Sequence, residues 1–272
     1  MQRTDLLKPV LSIITVVYNA EAIILKTLES VWNQTYPGIE YIIIDGASKD
    51  GTLKLLKQHQ ARFSHLQSEP DKGIYDAMNK GLARATGDYV LFLNAGDELA
   101  GADTVEKIFL NPVEQGGHAP GTAPVPQPAP GFADLYYGKV LLIDEAGKPL
   151  GERRHKPPVR LTWKSFRMGM LVSHQAFIPA RAITAPYRTD MKISADIDWC
   201  IECMKKARSI VNTDLYISKY MTGGLSRQNT WLSWKERFSV MKKHYGLGTS
   251  VFYHLVIILR FTGYYLTSRR LD

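Results

Sequence analysis

Leu11-Ser12-Ile13-Ile14-Thr15-Val16-Val17, followed at once by Tyr18-Asn19-Ala20-Glu21, decides how this chain folds. The first seven residues, mostly β-branched, read as a parallel strand buried on both faces. The polar step after Val17 ends it, and Ala22 to Asn33 reads as a helix with Leu25, Leu28 and Trp32 on one face. The same alternation recurs outward from there. Tyr41-Ile42-Ile43-Ile44 is a second strand stopping at Asp45-Gly46, with a helix over Thr52 to Gln60. A third helix is expected near Tyr75 to Ala85. Tyr89-Val90-Leu91-Phe92-Leu93 is another buried strand, ending at Asn94-Ala95-Gly96-Asp97. Strands that alternate with helices and end in polar residues predict a doubly wound α/β sheet, with ligands beyond the carboxyl ends of its strands.

Asn111 to Gly131 interrupts the pattern with six prolines and four glycines, as a loop or local insertion does. A strand over Leu135 to Ile143 resumes the fold, Ser173 to Ile178 is a further strand, and helix returns around Ile197 to Lys206. From Trp231 the texture turns aromatic and basic. Trp231-Leu232-Ser233-Trp234 leads into Lys235, Arg237, Lys242, Lys243 and His244, then apolar Val251 to Leu266, then Arg269-Arg270. The chain is therefore divided into a domain over 1–230 and a helical C-terminal segment over 231–272. That segment reads either as a membrane-surface anchor or as a helix packed on its own domain. A membrane span takes about 20 mainly apolar residues. Val251 to Leu266 is shorter and contains His254, Arg260 and Gly263, so spanning is not expected. The first residues lack the apolar run of a signal peptide.

The composition is that of a globular protein: 272 residues, 45% hydrophobic and 22% charged, enough to bury a sizeable core. Thirty-four basic against 26 acidic residues give a net charge of +8, which suits phosphate-bearing ligands, anionic lipids or polyanions alike. No recognition helix or aromatic sheet motif accompanies that charge, so nucleic acid is not an expected partner. Cys200 and Cys203 lie in a helical stretch with no second Cys or His pair, and read as core thiols rather than a metal or redox site.

An enzyme that uses a nucleotide sugar must hold a base, a ribose and a diphosphate. Carboxylates at strand ends suit ribose hydroxyls and base N–H donors. Glycines let the backbone approach phosphate, and a metal or a cationic side chain offsets the departing charge. The chain offers such parts in order: Thr15 to Asn19 with Glu21, Asp45 to Thr52, Asp71 to Gly81, and the strand running to Asp97. Singly, each is ordinary turn chemistry; Asp50 equally caps a helix beginning at Thr52. In this order and spacing they resemble the family 2 glycosyltransferases. The resemblance runs from about Ser12 to Leu99, and is most specific over Glu29-Ser30-Val31-Trp32-Asn33-Gln34-Thr35-Tyr36-Pro37 and over Asp71 to Gly81. It continues loosely through His174-Gln175 and Ser194-Ala195-Asp196-Ile197-Asp198-Trp199 to Gly223-Gly224.

The resemblance implies the GT-A nucleotide-diphospho-sugar transferase fold, Rossmann-like and mostly parallel, with a helical C-terminal extension. It implies an inverting transfer from a UDP- or GDP-linked sugar to an acceptor hydroxyl, in polysaccharide or lipid-linked oligosaccharide biosynthesis. By position, Thr15, Tyr18, Asn19 and Glu21 would hold base and ribose, beside Asp45, Gly46 and Ser48. Asp71, Gly73, Asn79, Lys80 and Asn94 would line the nucleotide and sugar pocket. Asp196 aligns with the general base, which removes the acceptor hydroxyl's proton as that oxygen attacks the anomeric carbon. Asp198 is the runner-up on the acceptor side, with His174 and Gln175 bordering it. Residues two apart on a helix face different ways, so only one of the two aspartates should face the pocket.

Where many relatives carry Asp-x-Asp, this chain reads Asn94-Ala95-Gly96, leaving Asp97 to hold Mg²⁺ or Mn²⁺ together with the diphosphate. Lys72 or Arg227 would otherwise offset that charge. The implied partners are a nucleotide-sugar donor, a glycan or lipid-linked saccharide acceptor and an anionic membrane surface. The implied location is the cytoplasm, peripheral on the inner face of the cell membrane. Two other readings compete. A non-catalytic nucleotide-sugar-binding scaffold of the same fold is motivated by the missing Asp-x-Asp. A sugar nucleotidyltransferase is opposed by Val17 to Glu21, which has neither glycine nor base for a triphosphate.

Overall fold

The computed structural model of the chain describes residues 8–110, 131–153, 156–222 and 230–268. Nearly all of the Pro/Gly-rich segment, Gly223-Gly224 and Arg227 lie outside the described residues. Strands β1 (Leu11–Val17), β2 (Ile39–Asp45), β3 (His65–Ser68) and β4 (Tyr89–Phe92) form a parallel sheet in the order β3-β2-β1-β4. Helices α1 (Ile24–Trp32), α2 (Thr52–Gln58), α3 (Ile74–Arg84), α4 (Thr104–Leu110) and α5 (Ala195–Lys206) cover it. Every residue of β1 is buried, as its apolar run requires. Its side chains alternate between two cores. Ile14 and Val16 join Ile42, Ile44, Val90 and Phe92 with α3 and α5; Leu11, Ile13 and Val17 join Ile43 and Leu91 with α1, α2 and α4.

Local packing explains where the helices differ from expectation. α1 buries Ile24, Thr27, Leu28 and Val31, whereas Leu25, expected on that face, is exposed. The i, i+4, i+7 stripe of Ile24, Leu28 and Val31 is the wider apolar face and sets the rotation. α3 sits close on the sheet, since a Cβ at Gly81 would come within 2.4 Å of Ile14 Cγ2. Alanine there has the better helix propensity but no room. Cys200 and Cys203 are buried in α5, and burial pushes both thiols well up.

A second sheet holds β5 (Glu98–Leu99), β6 (Leu135–Ile143), β7 (Pro149–Glu152) and β9 (Ile210–Met221) in the order β5-β9-β6-β7. β8 (Phe177–Pro179) also pairs with β6, and a bridge from Tyr89 to Ala180 joins the two sheets. Ser173 to Ile178 is not one strand. A 3₁₀ turn over His174–Ala176 precedes β8 and carries Gln175 inward, where its Nε2 donates to Asp97 Oδ2 at 2.9 Å.

Two helices follow, α6 (Thr230–Tyr245) and α7 (Leu247–Ser268), separated by Gly246 at φ +81°. α6 packs on α5. Val240 and Met241 are buried, and the Glu236 carboxylate accepts the N–H groups of Lys192, Ile193 and Ser194 at 2.8, 2.9 and 2.9 Å. α7 instead exposes Leu247, Val251, Phe252, Leu255, Ile258 and Leu259. Among the described residues no helix is long and apolar enough to cross a membrane.

Asp198 belongs to this α5–α6 contact. Its Oδ1 accepts from His244 Nε2 at 2.7 Å, and Lys243 Nζ lies 3.0 Å from both its oxygens and 3.1 Å from Glu202. Burial alone would push the Asp198 carboxyl up, but the bonds from His244 and Lys243 together outweigh it and hold the pKa below the usual value. A depressed carboxyl stabilises the fold above its unfolded pKa, near 3.9, and loses that contribution as pH falls through the folded value. Asp198→Asn is therefore expected to cost about 2 kcal/mol at neutral pH, discounted because Lys243 is half exposed. Denaturant titrations from pH 7 to pH 3 should show wild type and variant converging in acid; a constant gap would disprove the charge's role.

Candidate active site

The loops after β1 and β2 are zipped together. Asn19, at φ 48°, accepts the Lys49 N–H through Oδ1 at 2.8 Å, and its own N–H donates to Ser48 Oγ at 2.8 Å. Glu21 Oε2 accepts the Gly51 N–H at 2.9 Å, and Asp50 Oδ1 accepts the Thr52 N–H at 3.0 Å, a turn role. Asp45 is fully buried and takes both the Ser48 and Ser68 hydroxyls. At Gly46 a Cβ would lie 2.3 Å from Asp71 Oδ2 and 3.3 Å from Tyr18 Cδ2. Glycine thus lets exposed Tyr18 and half-buried Asp71 converge at the carboxyl ends of β1 and β2. Asp71 Oδ1 accepts the N–H of Gly73, whose φ of +125° also favours glycine, and α3 starts at the next residue.

Beside this lies a cavity of about 500 Å³. Tyr75 and Met78 of α3, Asn94 and Asp97 beyond β4, Ser173 to Gln175, and Asp196 in the first turn of α5 line it, with Arg153 and Tyr220 from the second sheet. Tyr75 OH lies 3.5 Å from Asp196 Oδ1, and His174 Nδ1 lies 3.4 Å from Asp196 Oδ2. On the other side of the ring, Asn94 Nδ2 lies 3.3 Å from His174 Nε2. An amide N–H₂ only donates, so Nε2 accepts and the proton sits on Nδ1, aimed at Asp196. That assignment leaves Asn94 Oδ1 buried without a partner. Asp97 forms the floor. Burial pushes its carboxyl up to about 6, against hydrogen bonds from Gln175 and the Met221 N–H.

The expected residues sort into three groups. Tyr18, Gly46, Asp71 and Gly73 meet at the strand ends, and Asn94, Asp97, His174, Gln175 and Asp196 meet at the cavity. Others brace the scaffold and do not line the cavity. Thr15 Oγ1, fully buried, donates to Leu93 O at 2.7 Å; Asn79 pairs with both backbone groups of Tyr187; Lys80 binds Glu69, Asp76 and Pro70 O. The side chain of Lys72 is exposed at the start of the Asp71–Gly73 turn. Asp198 is a correction: it faces α6 rather than the acceptor side, because residues two apart on a helix point apart. Three contributors were missed. Tyr75 lay unremarked inside the Asp71 to Gly81 stretch. Glu236 was signalled as the lone acidic residue between Thr230 and Tyr245. Arg153 carried no local signal, since only the sheet's return brings it to Asp196.

Two donor sets bear on a metal. Asn94 Oδ1, an orphaned buried oxygen, and the Asp97 carboxylate fit a hard divalent cation completed by diphosphate oxygens and water. Asp198, Glu202 and His244 also converge. There the Lys243 ammonium already fills the cation position, so that set does not fit.

The family description "Glycosyl transferase family 2" matches residues 12–127. An uncharacterised glycosyltransferase of Mycobacterium tuberculosis is 33% identical over 199 residues, 71% of this chain and 68% of that protein. A PGL/p-HBAD biosynthesis glycosyltransferase of Mycobacterium bovis is 29% identical over 228 residues, 80% of this chain and 79% of its own length. In three dimensions the chain is similar to S. aureus TarS 1-349, solved in complex with UDP-GlcNAc, with a TM-score of 0.64 at 18% identity. That match covers 86% of this chain and 64% of the TarS chain, and supports the GT-A fold. The chain belongs to the family 2 glycosyltransferases, and is a glycosyltransferase enzyme of the GT-A fold.

Proposed function

We propose that this transferase inverts the anomeric configuration of a UDP- or GDP-linked sugar, with Asp196 as its base and a glycan or lipid-linked saccharide as acceptor. The observation that carries this reading is the position of Asp196, in the cavity and in contact with Tyr75 and His174 but away from the β1 and β2 ends. With the nucleotide against Tyr18, Gly46 and Asp71, the acceptor oxygen attacks the anomeric carbon from the opposite side. Its proton passes to Asp196, and the nucleoside diphosphate leaves with the bonding pair. His174 and Tyr75 donate to the two Asp196 oxygens and fix the carboxylate's orientation. Asn94 and Asp97 would hold Mg²⁺ or Mn²⁺, which supplies charge neutralisation to the diphosphate when bound. A thermal-shift screen against UDP, GDP, CMP and their sugar conjugates, with and without Mn²⁺, tests the reading. A shift with one nucleotide, larger with Mn²⁺, is expected. No shift at millimolar ligand would favour a scaffold, and undiminished turnover in excess EDTA would remove the metal.

The same reading places the protein on the cytoplasmic face of a membrane through α7. Supporting it, α7 exposes a row of large apolar side chains and has no acidic residue, while exposed Lys242 and Lys243 precede it. Leu247→Gln, Phe252→Gln and Leu255→Gln, combined, should weaken sedimentation with anionic vesicles by about tenfold and leave the melting temperature unchanged. Equal binding would rule the anchor out.

A further inference from the structure

Tyr187 lies between β8 and α5, outside helix and strand, and is 3% exposed. Its ring is the middle one of three. It stacks on Tyr75 of α3 with centroids 5.4 Å apart and planes at 19°, and on Trp199 of α5 at 4.9 Å and 11°. Phe92 of β4 meets the stack edge-on, 5.2 Å from Tyr187 and 5.5 Å from Trp199. Stacked and edge-to-face pairs at such separations hold aromatic rings in defined orientations. Polar bonds fix the same stretch. Asn79, one turn along α3 from Tyr75, accepts the Tyr187 N–H at 2.6 Å and donates to Tyr187 O at 2.9 Å. Trp199 Nε1 donates to Ala185 O at 2.8 Å. The Tyr187 hydroxyl takes no part in this, being buried without a partner among the described residues. An unbonded buried hydroxyl costs stability, so the contribution of this position comes from its ring and its backbone.

One outer ring of the stack carries the group that meets the proposed base. Tyr75 OH lies 3.5 Å from Asp196 Oδ1, and Tyr75 lines the cavity. The other outer ring, Trp199, stands three residues after Asp196 on α5. Tyr187 is not among the side chains that line the cavity, so it reaches the reaction only through another residue. We propose that Tyr187 is a positioning residue for sugar transfer: its ring, braced by Trp199 and Asn79, holds the Tyr75 hydroxyl against the Asp196 carboxylate. Without a flat face behind it, the Tyr75 ring tilts and its hydroxyl leaves Asp196, which then keeps only the His174 contact at 3.4 Å. Misplacing a catalytic group by about 1 Å slows the chemical step, and the nucleotide, placed at Tyr18, Gly46 and Asp71, is bound as before. The proposal rests on Asp196 as the base, and the test separates the two.

A double-mutant cycle on the full chain tests it, with kcat, donor KM, melting temperature and the nucleotide-induced thermal shift read for each variant. Tyr187→Phe keeps the stack and should transfer at the wild-type rate while melting at or above the wild-type temperature. Tyr187→Met fills the space without a flat face. It should lower kcat by about tenfold and leave donor KM and the nucleotide shift unaltered. Tyr75→Phe keeps the stack and removes the hydroxyl. In that background Tyr187→Met should lower kcat by no more than about twofold, because the contact it acts through is already gone. Should Tyr187→Met not fold, Asn79→Asp takes its place in the cycle, setting a carboxylate oxygen against Tyr187 O, with the same expectation. Effects that multiply in full would make Tyr187 a structural residue and overturn the proposal. An unchanged kcat in Tyr187→Met, or Tyr187→Phe as slow as Tyr187→Met, overturns it as well. Asp196→Asn, run beside them, keeps the two readings apart. Wild-type transfer in that variant removes the base and the proposal with it; slow transfer there with multiplying Tyr187 effects removes the proposal alone.

Discussion

Asp196→Asn should lower the rate of sugar transfer by about 10²–10⁴ while the protein folds and binds nucleotide as before. The substitution keeps the shape of the side chain. An amide oxygen can still accept from Tyr75 OH or His174 Nδ1, which lie at 3.5 and 3.4 Å. What disappears is a basic oxygen able to take the acceptor's proton. Because that group works only as the hydroxyl oxygen attacks, the loss belongs to kcat, with KM for the donor nearly unchanged. Single-turnover transfer, with the nucleotide-induced thermal shift as a folding and binding control, reads both quantities. Transfer at the wild-type rate would discard Asp196 as the base. Loss of the nucleotide shift along with activity would make it a structural residue instead.

How much of this site was legible in the sequence depended on whether neighbours in space were neighbours in the chain. The strands Leu11–Val17 and Leu135–Ile143 could be read from their apolar runs, because burial on both faces leaves few alternatives. The strand-end residues Tyr18, Gly46 and Asp71 were accessible for the same reason, since parallel strands must all present their carboxyl ends to one side. The turn over His174–Ala176 was misjudged as strand. Its conformation answers to the buried Gln175–Asp97 hydrogen bond, formed with a residue 78 positions away. Asp198 was misplaced because its partners, Lys243 and His244, lie in the C-terminal segment, which reads from sequence as either a membrane-surface anchor or a helix packed on its own domain and names no partner for α5. Arg153 was invisible, as it reaches Asp196 only through the pairing of β6, β7 and β9. Local physics identified elements and their ends; long-range pairing decided which polar groups met.

Glu236→Ala should lower the melting temperature by about 10 °C and also depress activity well below the melting range. Glu236 is 8% exposed, and its two oxygens accept three consecutive backbone N–H groups, from Lys192, Ile193 and Ser194. Those donors lie just before α5, whose cap position, Ser194, makes no side-chain capping bond of its own. The α6 carboxylate therefore fixes the three residues that lead into α5, and takes the N–H of the cap residue Ser194 as the glutamate of a capping box does. Removing it strands three donors, each bonded to a charged acceptor, for a combined cost of about 3 kcal/mol once water reaches some of them. The second effect follows from position. Asp196 lies two residues beyond Ser194, so loosening the start of α5 moves the proposed base relative to His174 and Tyr75. A displacement of about 1 Å at a catalytic group can cost 10²-fold in rate. Glu236→Gln keeps one acceptor oxygen but turns an N–H₂ toward backbone donors, and should fall between alanine and wild type. Thermal melts and transfer rates at 15 °C for both variants test the coupling. A melting temperature within about 2 °C of wild type would show that solvent replaces the carboxylate. Full activity despite a large melting shift would show that α5 holds Asp196 without help from α6.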